Sequence, residues 1–502
     1  MLRKIRITLA AACFTLVTLL FLDFTGTIHA WFGWLAKIQF LPALLAAEVG
    51  VVAGLVLLTL LFGRVYCSVI CPLGVMQDGF GWLGRRSKRN RYSWSPAVKR
   101  LRYGALALFI AAIAAKAGSL VALLAPYSAY GRIAQNIFAP LWQAGNNVLA
   151  YLAERADSYA FYTVDIWIRS AATFAVAAAT LVGLGILAWR NGRTWCNTVC
   201  PVGTVLGFFS RFSLLRPAID TSKCNGCELC ARNCKASCID SRSHEIDYSR
   251  CVACMDCLGK CHKGAISYTL RRSSRDTNAT AAEKTTAPAP DTAAMSRRRF
   301  LSVTALLAAT AAARAQDKHV DGGLAVIEDK KIPARQTRIV PAGAHGLSRF
   351  AAHCTGCQLC VAACPNGVLR PSGGVMTLMQ PEMSYERGYC RPECTRCAEA
   401  CPTGAISLAD TAEKSSIQIG HAVWVRQNCI PLTAGDSCGN CARHCPSGAI
   451  TMVLSDPDDP ESPKIPAVNT ELCIGCGACE NLCPARPFSA IYVEGHEVHR
   501  TI

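Results

Sequence analysis

Twenty-four of the 30 cysteines fall into six sets of four, most with the spacing that wraps a [4Fe–4S] cubane. The first set is Cys224, Cys227, Cys230 and Cys234, and the second is Cys251, Cys254, Cys257 and Cys261. The third is Cys354, Cys357, Cys360 and Cys364, followed by Pro365; the last is Cys473, Cys476, Cys479 and Cys483, followed by Pro484. Between these two lie Cys390, Cys394, Cys397 and Cys401, then Cys429, Cys438, Cys441 and Cys445, which are irregular but keep a C-x2-C-x3-C-P core. Three cysteines two residues apart let one tight loop offer three thiolates to three corners of a cubane. The fourth, on a short helical turn, ligates the neighbouring cluster in two-cluster ferredoxins. Zinc sites favour two separated C-x2-C knuckles, and a disulfide framework does not repeat at such short, regular intervals. The 24 cysteines are therefore expected to be iron ligands of six [4Fe–4S] clusters, a wire for single electrons.

Six cysteines stand outside these sets. Cys67-x3-Cys71-Pro72 and Cys196-x3-Cys200-Pro201 sit in matching contexts, Gly63-Arg64-Val65-Tyr66 before the first pair and Gly192-Arg193-Thr194-Trp195 before the second. This is an internal repeat, an apolar helix ending in C-x3-C-P. An i, i+4 pair shares one side of a helical turn, so the four thiols could converge. Such a group could ligate another cluster, bind a transient metal or act as a thiol–disulfide couple; four free structural thiols are the plain alternative. Cys13 and Cys238 are read as passive.

The elements that must carry these thiols are of two kinds. The chain has 502 residues, 51% of them hydrophobic, with mean hydropathy +0.25, and the apolar excess lies in the first 190 or so. Runs long enough to span a bilayer occur at Ile5–Phe24, Leu44–Phe62, Tyr103–Leu124 and Ala171–Trp189. Shorter aromatic segments at Ile28–Phe40 and Ile137–Tyr151 read as interfacial helices. Basic residues precede the first run, crowd between Arg85 and Arg102, and follow the fourth. By the positive-inside rule the N-terminus and the chain after Trp189 face the cytoplasm of a bacterial inner membrane. Much of the net charge of +18 is then topological, and no nucleic-acid partner is expected. The predicted fold is an α-helical four-helix transmembrane domain (1–215) plus α+β bacterial-ferredoxin-like modules. The first module holds two clusters (216–270) and is cytoplasmic; the second holds four (317–502). Between them lie a polar linker (271–295) and an internal twin-arginine signal-like segment (296–316). That segment opens on Ser296-Arg297-Arg298-Arg299-Phe300-Leu301 and ends near Ala313-Arg314-Ala315. It predicts a periplasmic location for residues 317–502.

No histidine falls within the apolar runs, so a transmembrane b-type haem is not expected. A lipid-soluble quinol from the membrane pool is the economical redox partner. Glu48 and Lys116 are ionisable residues within the second and third predicted spans; such residues mark functional sites by default, here a quinol or proton site. Their plain reading is an interfacial Glu and a snorkelling Lys.

The N-terminal half, with its four apolar runs, two C-x3-C-P motifs and two cluster motifs, resembles the NapH membrane ferredoxins, relatives of the NosR and CcoG polyferredoxins. The C-terminal half, a twin-arginine segment before four cluster motifs, resembles NapG. The whole is similar to a NapH–NapG fusion. The resemblance implies a quinol dehydrogenase component feeding a periplasmic reductase or cytochrome. The spacing Cys390-x3-Cys394-x2-Cys397 departs from the C-x2-C-x4-C of NapG-like proteins, so nitrate reductase is not implied as the acceptor. The resemblance also implies that Cys354, Cys357 and Cys360 share a cluster with Cys483, and Cys473, Cys476 and Cys479 with Cys364; four ligands from each run is the alternative. In the first module it pairs Cys224, Cys227 and Cys230 with Cys261, and Cys251, Cys254 and Cys257 with Cys234. Two rival readings are a six-cluster redox hub wholly at the cytoplasmic face, and a copper-handling factor in oxidase assembly that uses Cys67, Cys71, Cys196 and Cys200.

Overall fold

The computed structural model describes residues 1–23, 26–87, 92–271, 328–408 and 410–502. The twin-arginine segment, and the linker beyond Arg271, lie outside the described residues. Met1–Arg271, Ile332–Ala485 and Ser489–Ile502 form one compact unit. A small second unit includes Lys331 and Pro487, joined by a backbone hydrogen bond of 2.8 Å.

The helical part runs α1 (Leu2–Leu22), α2 (Thr27–Phe32), α3 (Trp34–Lys37), α4 (Phe40–Leu45), α5 (Val49–Phe62), α6 (Val65–Val69) and α7 (Pro72–Arg86). It continues through α8 (Lys99–Ala114), α9 (Gly118–Leu124), α10 (Pro126–Ile133), a π-helical turn (Ala134–Phe138) and α11 (Ala139–Arg155). It ends in α12 (Ala171–Asn191), α13 (Thr194–Thr198) and α14 (Pro201–Ser210). Among the described residues only α1 and α12, 21 residues each, are long and apolar enough to cross a membrane unbroken, about 31 Å at 1.5 Å per residue.

The other two predicted spans are interrupted, which corrects the four-helix expectation. Leu44–Phe62 breaks between α4 and α5, and Tyr103–Leu124 between α8 and α9. Both breaks have the same hydrogen bonds. Ala47 N donates to Leu44 O (3.2 Å) and Glu48 N to Ala43 O (2.9 Å); Lys116 N donates to Ile113 O (3.1 Å) and Ala117 N to Ala112 O (2.9 Å). These are Schellman closures. Ala47 (φ +56°) and Lys116 (φ +54°) hold the left-handed position that glycine usually takes.

Ile28–Phe40 exposes Trp31, Phe32 and Trp34 and enters the core at its end, where Leu35, Ala36, Gln39 and Phe40 are buried. Gln39 accepts from Tyr66 Oη (3.0 Å) and its Nε2 donates to Ile70 O (3.5 Å). By contrast α11 buries only Ala139 and Ala150, as a superficial helix would.

The internal repeat is real in three dimensions. α5–α6–α7 and α12–α13–α14 each turn at a left-handed glycine, Gly63 and Gly192. Each then makes one short helix and restarts with proline at the first helical position after a cysteine cap, Cys71 or Cys200. The halves interlock: α12 packs on α7, and α5 on α14.

All strands pair in two-stranded antiparallel sheets. In the first ferredoxin module β1 (Leu215–Ile219) pairs with β4 (Ile266–Leu270), and β2 (Ile239–Asp240) with β3 (Glu245–Ile246). In the C-terminal part β5 (Leu369–Pro371) pairs with β6 (Pro381–Met383), and β8 (Ile450–Leu454) with β9 (Lys464–Val468). The long pair is β7 (Ile417–Trp424) with β10 (Ile491–Thr501). Isolated two-stranded sheets are marginal in water; here each is folded against cysteine loops.

The two ferredoxin parts lie at opposite ends of α1. Near its start, Arg3 Nε meets Asp256 at 2.8 Å and Arg6 meets Asp78 at 3.0 Å. Near its end, Phe21 lies against Gly131, whose close neighbour is the Cys357 carbonyl, and the C-terminal helix Leu359–Ala363 packs along α1.

Candidate functional site

The thiols gather into sets that differ in one respect from the pairing implied by the family resemblance. In the first module Cys251, Cys254 and Cys257 line one cavity together with Cys234, the exchange expected. Cys224, Cys227 and Cys230 lie together, and the turn before Cys261 packs against the turn carrying Cys230. In the C-terminal part Cys390, Cys394 and Cys397 line a cavity with Cys364, and Cys473, Cys476 and Cys479 line one with Cys445. Cys354, Cys357 and Cys360 neighbour Cys401, and Cys429, Cys438 and Cys441 neighbour Cys483. Exchange therefore runs between adjacent motifs, third with fourth and fifth with sixth; Cys483 does not join Cys354, nor Cys364 join Cys473. The reason is local. Each adjacent pair of motifs closes on itself as a two-cluster unit, like the first module.

These sets fit cubanes. Backbone N–H groups point at ligand sulfurs, Ala265 N to Cys261 Sγ (3.2 Å) and Ala490 N to Cys483 Sγ (3.3 Å); such hydrogen bonds tune cluster potentials. Burial pushes the Cys254 thiol up to about 12 and Cys441 up to about 11, so bound iron must supply the charge that ionises them.

The four C-terminal sets form a row. Cys360 neighbours Cys397, Cys390 N donates to Cys476 O at 2.9 Å, and Cys479 neighbours Cys441. The order is thus Cys354, Cys390, Cys473, Cys429, naming each set by its first cysteine. The first of these is the one docked on the helices. Its loop meets α10 at Tyr127 and Gly131, and Asn136 Nδ2 and Arg169 Nη1 hold it at Gln358 Oε1 (2.8 Å) and Val361 O (2.6 Å).

Beside those two anchors lies a cleft of about 50 Å³, lined by Gln135, Asn136, Gln143, Asp165, Trp167 and Phe174 among others. It sets a few polar groups among apolar and aromatic ones, as ligand sites do. Gln135 Oε1 is buried there without a hydrogen-bond partner. The cleft adjoins the π-helical turn, a feature frequent at functional sites. Glu48 and Lys116 are elsewhere. Glu48 is exposed at the start of α5, and Lys116, also exposed, donates to Ser348 Oγ at 2.7 Å. Lys116 is therefore a turn residue touching the C-terminal part, not a group buried within a span.

Cys67, Cys71, Cys196 and Cys200 are brought together, all buried; Cys200 neighbours the other three, and Cys71 neighbours Cys67 and Cys196. Burial and the neighbouring thiols push Cys71 up to about 12. Arg64 donates to Cys67 Sγ (3.7 Å) and, across the repeat, to Cys196 O (3.3 Å). Arg193 mirrors it, donating to Cys196 Sγ (3.9 Å) and Cys67 O (2.8 Å).

Two residues were not singled out by motif. Cys238 is buried with its Sγ 3.5 Å from Cys234 Sγ and it lines the same cavity, so it is not a bystander. Asp78 binds Arg193 (2.7 Å), Lys235 (2.7 Å) and Arg6 (3.0 Å) at once. Burial opposes its ionisation, but Arg193 and Lys235 hold its carboxyl far below the ordinary carboxylate range. Lys235 stands where a ferredoxin motif usually has proline; the pairing with Asp78 and Asp256 (3.2 Å) is what its ammonium does there.

Family comparisons match these elements. A 4Fe–4S binding domain model matches residues 45–91 and 172–220, the two halves of the repeat. Two 4Fe–4S dicluster domain models match residues 353–406 and 436–486, the first containing the third and fourth motifs and the second most of the fifth and sixth. The ferredoxin-type protein NapF of Escherichia coli K12 is 33% identical over 151 residues, 30% of this chain and 82% of NapF. The chain belongs to the Nap-type iron–sulfur ferredoxin family. Its resemblance to the ferredoxin-type protein NapH of Escherichia coli K12 is 27% identity over 246 residues, 47% of this chain and 71% of NapH. This Nap-type chain also matches 74 residues of the uncharacterized protein MJ0749 of Methanocaldococcus jannaschii at 40% identity, spanning only 29% of that protein. No solved structure matches it.

Proposed function

We propose that this Nap-type electron-transfer protein sits in a bacterial inner membrane, oxidises quinol and passes single electrons to a reductase or cytochrome outside the cytoplasmic face. The observation that carries the reading is the polar-aromatic cleft at Gln135 and Asp165, adjoining the loop of the Cys354 set, from which the other three sets lead away in a row. A quinol bound there gives up two electrons, one at a time, to the Cys354–Cys357–Cys360–Cys401 cluster. It releases its protons through a quinol hydroxyl that hydrogen-bonds to Gln135 Oε1 and through the Asp165 carboxylate, which takes one proton and passes it to water before the second leaves. Ferredoxin parts at opposite ends of α1 favour modules on two sides of a membrane over a hub at one face. The test is anaerobic reduction of the purified full chain by menaquinol or ubiquinol analogues, followed by EPR. Rapid appearance of reduced-cluster signals is expected. Failure of both quinols to reduce a protein that dithionite reduces fully would sink the quinol role.

A further inference from the structure

The four C-terminal sets are alike in ligand type but not in surrounding charge. Three residues separate Cys390 from Cys394, where the regular motif has two. In this longer loop the carbonyls of Arg391 and Cys394 both accept from Lys414 Nζ, carried by the short helix Thr411–Ser416. The same ammonium contacts the Cys390 thiol and neighbours Cys397. Lys414 also lines the cavity shared by Cys364, Cys390, Cys394 and Cys397.

Lys414 is 6% exposed. Among the described residues its partners are those two carbonyls and the Cys390 sulfur, with no carboxylate. Burial pushes the Cys390 thiol up, and the Lys414 charge opposes that. A buried ammonium is costly without an anion. Four thiolates around a cubane supply the anion, and reduction makes it more negative by one charge. The other sets differ. Arg338 faces Cys354, but it also faces Glu382 and lines an open cleft of about 500 Å³, where water screens it. Arg169 neighbours both Cys360 and Cys364, so it serves the first two sets alike. Beside Cys479 stands a carboxylate, Glu480, matched by Arg335. Cys429 and Cys441 neighbour Cys438 and Cys483.

We infer that Lys414 makes the Cys390 cluster the electron trap of the row, the first of the four C-terminal clusters to fill. In a low-dielectric site a fixed positive charge favours the reduced, more negative state. The Cys390 set stands second in the row, next to the docked Cys354 set. Lys414 therefore draws an electron off the Cys354 cluster and leaves that cluster oxidised for the next one. This last role rests on the quinol reading: one quinol loses two electrons and two protons, and the Cys390 and Cys354 clusters gain one electron each through a single entrance.

The test is a potentiometric EPR titration of the full chain, purified anaerobically in detergent and poised with dithionite and soluble mediators, so that no quinol takes part. Signals are assigned from the Cys357→Ser, Cys394→Ser, Cys476→Ser and Cys438→Ser variants. As the potential falls, the Cys390 cluster is expected to give the first C-terminal signal. Lys414→Gln is expected to disfavour its reduction about tenfold, a fall of about 59 mV in midpoint, with iron content unchanged. Lys414→Arg, which keeps the charge, is expected to restore most of that shift; a residue that merely pinned the loop would leave the midpoint where it was. A Cys390 signal that follows another C-terminal cluster, or a midpoint that Lys414→Gln does not move, overturns the inference. Should Lys414→Gln lose iron, the order of reduction in the wild-type chain decides. Failure of quinol to reduce the chain would leave that order intact, so the two readings fail separately.

Discussion

Asp78 shows how much a single side chain can hold. It joins α1, the second half of the repeat and the first ferredoxin module through Arg6, Arg193 and Lys235. Removing one partner of a buried ion network strands the others, so Asp78→Asn is expected to cost about 3–5 kcal/mol of stability, read as a lowered thermal midpoint in detergent. Its folded pKa lies below the unfolded value. The stabilisation is therefore complete above about pH 4 and is lost as pH falls through the folded pKa. An acid titration of wild type should show that loss, and Asp78→Asn should flatten it. Cys238 carries a second prediction at this scale. Its thiol beside Cys234 Sγ can donate to a ligand sulfur, which favours the more negative, reduced cluster. Cys238→Ala should lower the midpoint of the Cys251 cluster by on the order of tens of millivolts, with iron content unchanged; an unaltered potentiometric EPR titration would reduce the residue to packing.

The interrupted helices are the informative elements. Ala47 and Lys116 each close a Schellman turn in a left-handed conformation that costs a non-glycine residue roughly 1 kcal/mol. Ala47→Gly is therefore expected to stabilise the chain by about 0.5–1 kcal/mol, seen as a modest rise in thermal midpoint; a fall would mean that the methyl group packs. Nothing in Leu44–Glu48 or Ala114–Ala117 announces a break, because both stretches are alanine-rich helix formers and neither holds a glycine or proline. The break was not legible in hydropathy, which averages over the positions that turn. The C-x3-C-P elements were legible, because a glycine at the turn and a proline at the first helical position are local signals with one geometric meaning each.

At the scale of the whole molecule, the proposed quinol role is tested at the cleft beside the docked Cys354 set. Gln135→Leu, which removes the unpartnered acceptor without emptying the cleft, should slow reduction by quinol about tenfold or more while dithionite reduction is unchanged. Equal rates in wild type and variant would move the quinol elsewhere. The adjacent-motif pairing has its own check. Cys401→Ser should alter the EPR of the Cys354 cluster, and Cys483→Ser that of the Cys429 cluster; the reverse pairing would move the second effect onto Cys354.

The iron–sulfur cofactor type was legible in the sequence alone, because a C-x2-C-x2-C loop sets its own geometry within ten residues. So was the division into apolar helices and ferredoxin modules, because composition shifts at their borders. Tertiary structure alone decided which fourth cysteine lies beside each set of three, that Lys116 turns outward to Ser348, that Lys235 stands in place of a proline and grips Asp78, and that four thiols 133 residues apart end to end meet beside Arg64 and Arg193. Each of these depends on contacts between segments far apart in the chain. Local spacing carries no information about which distant surface supplies the partner, the counter-charge or the absence of one.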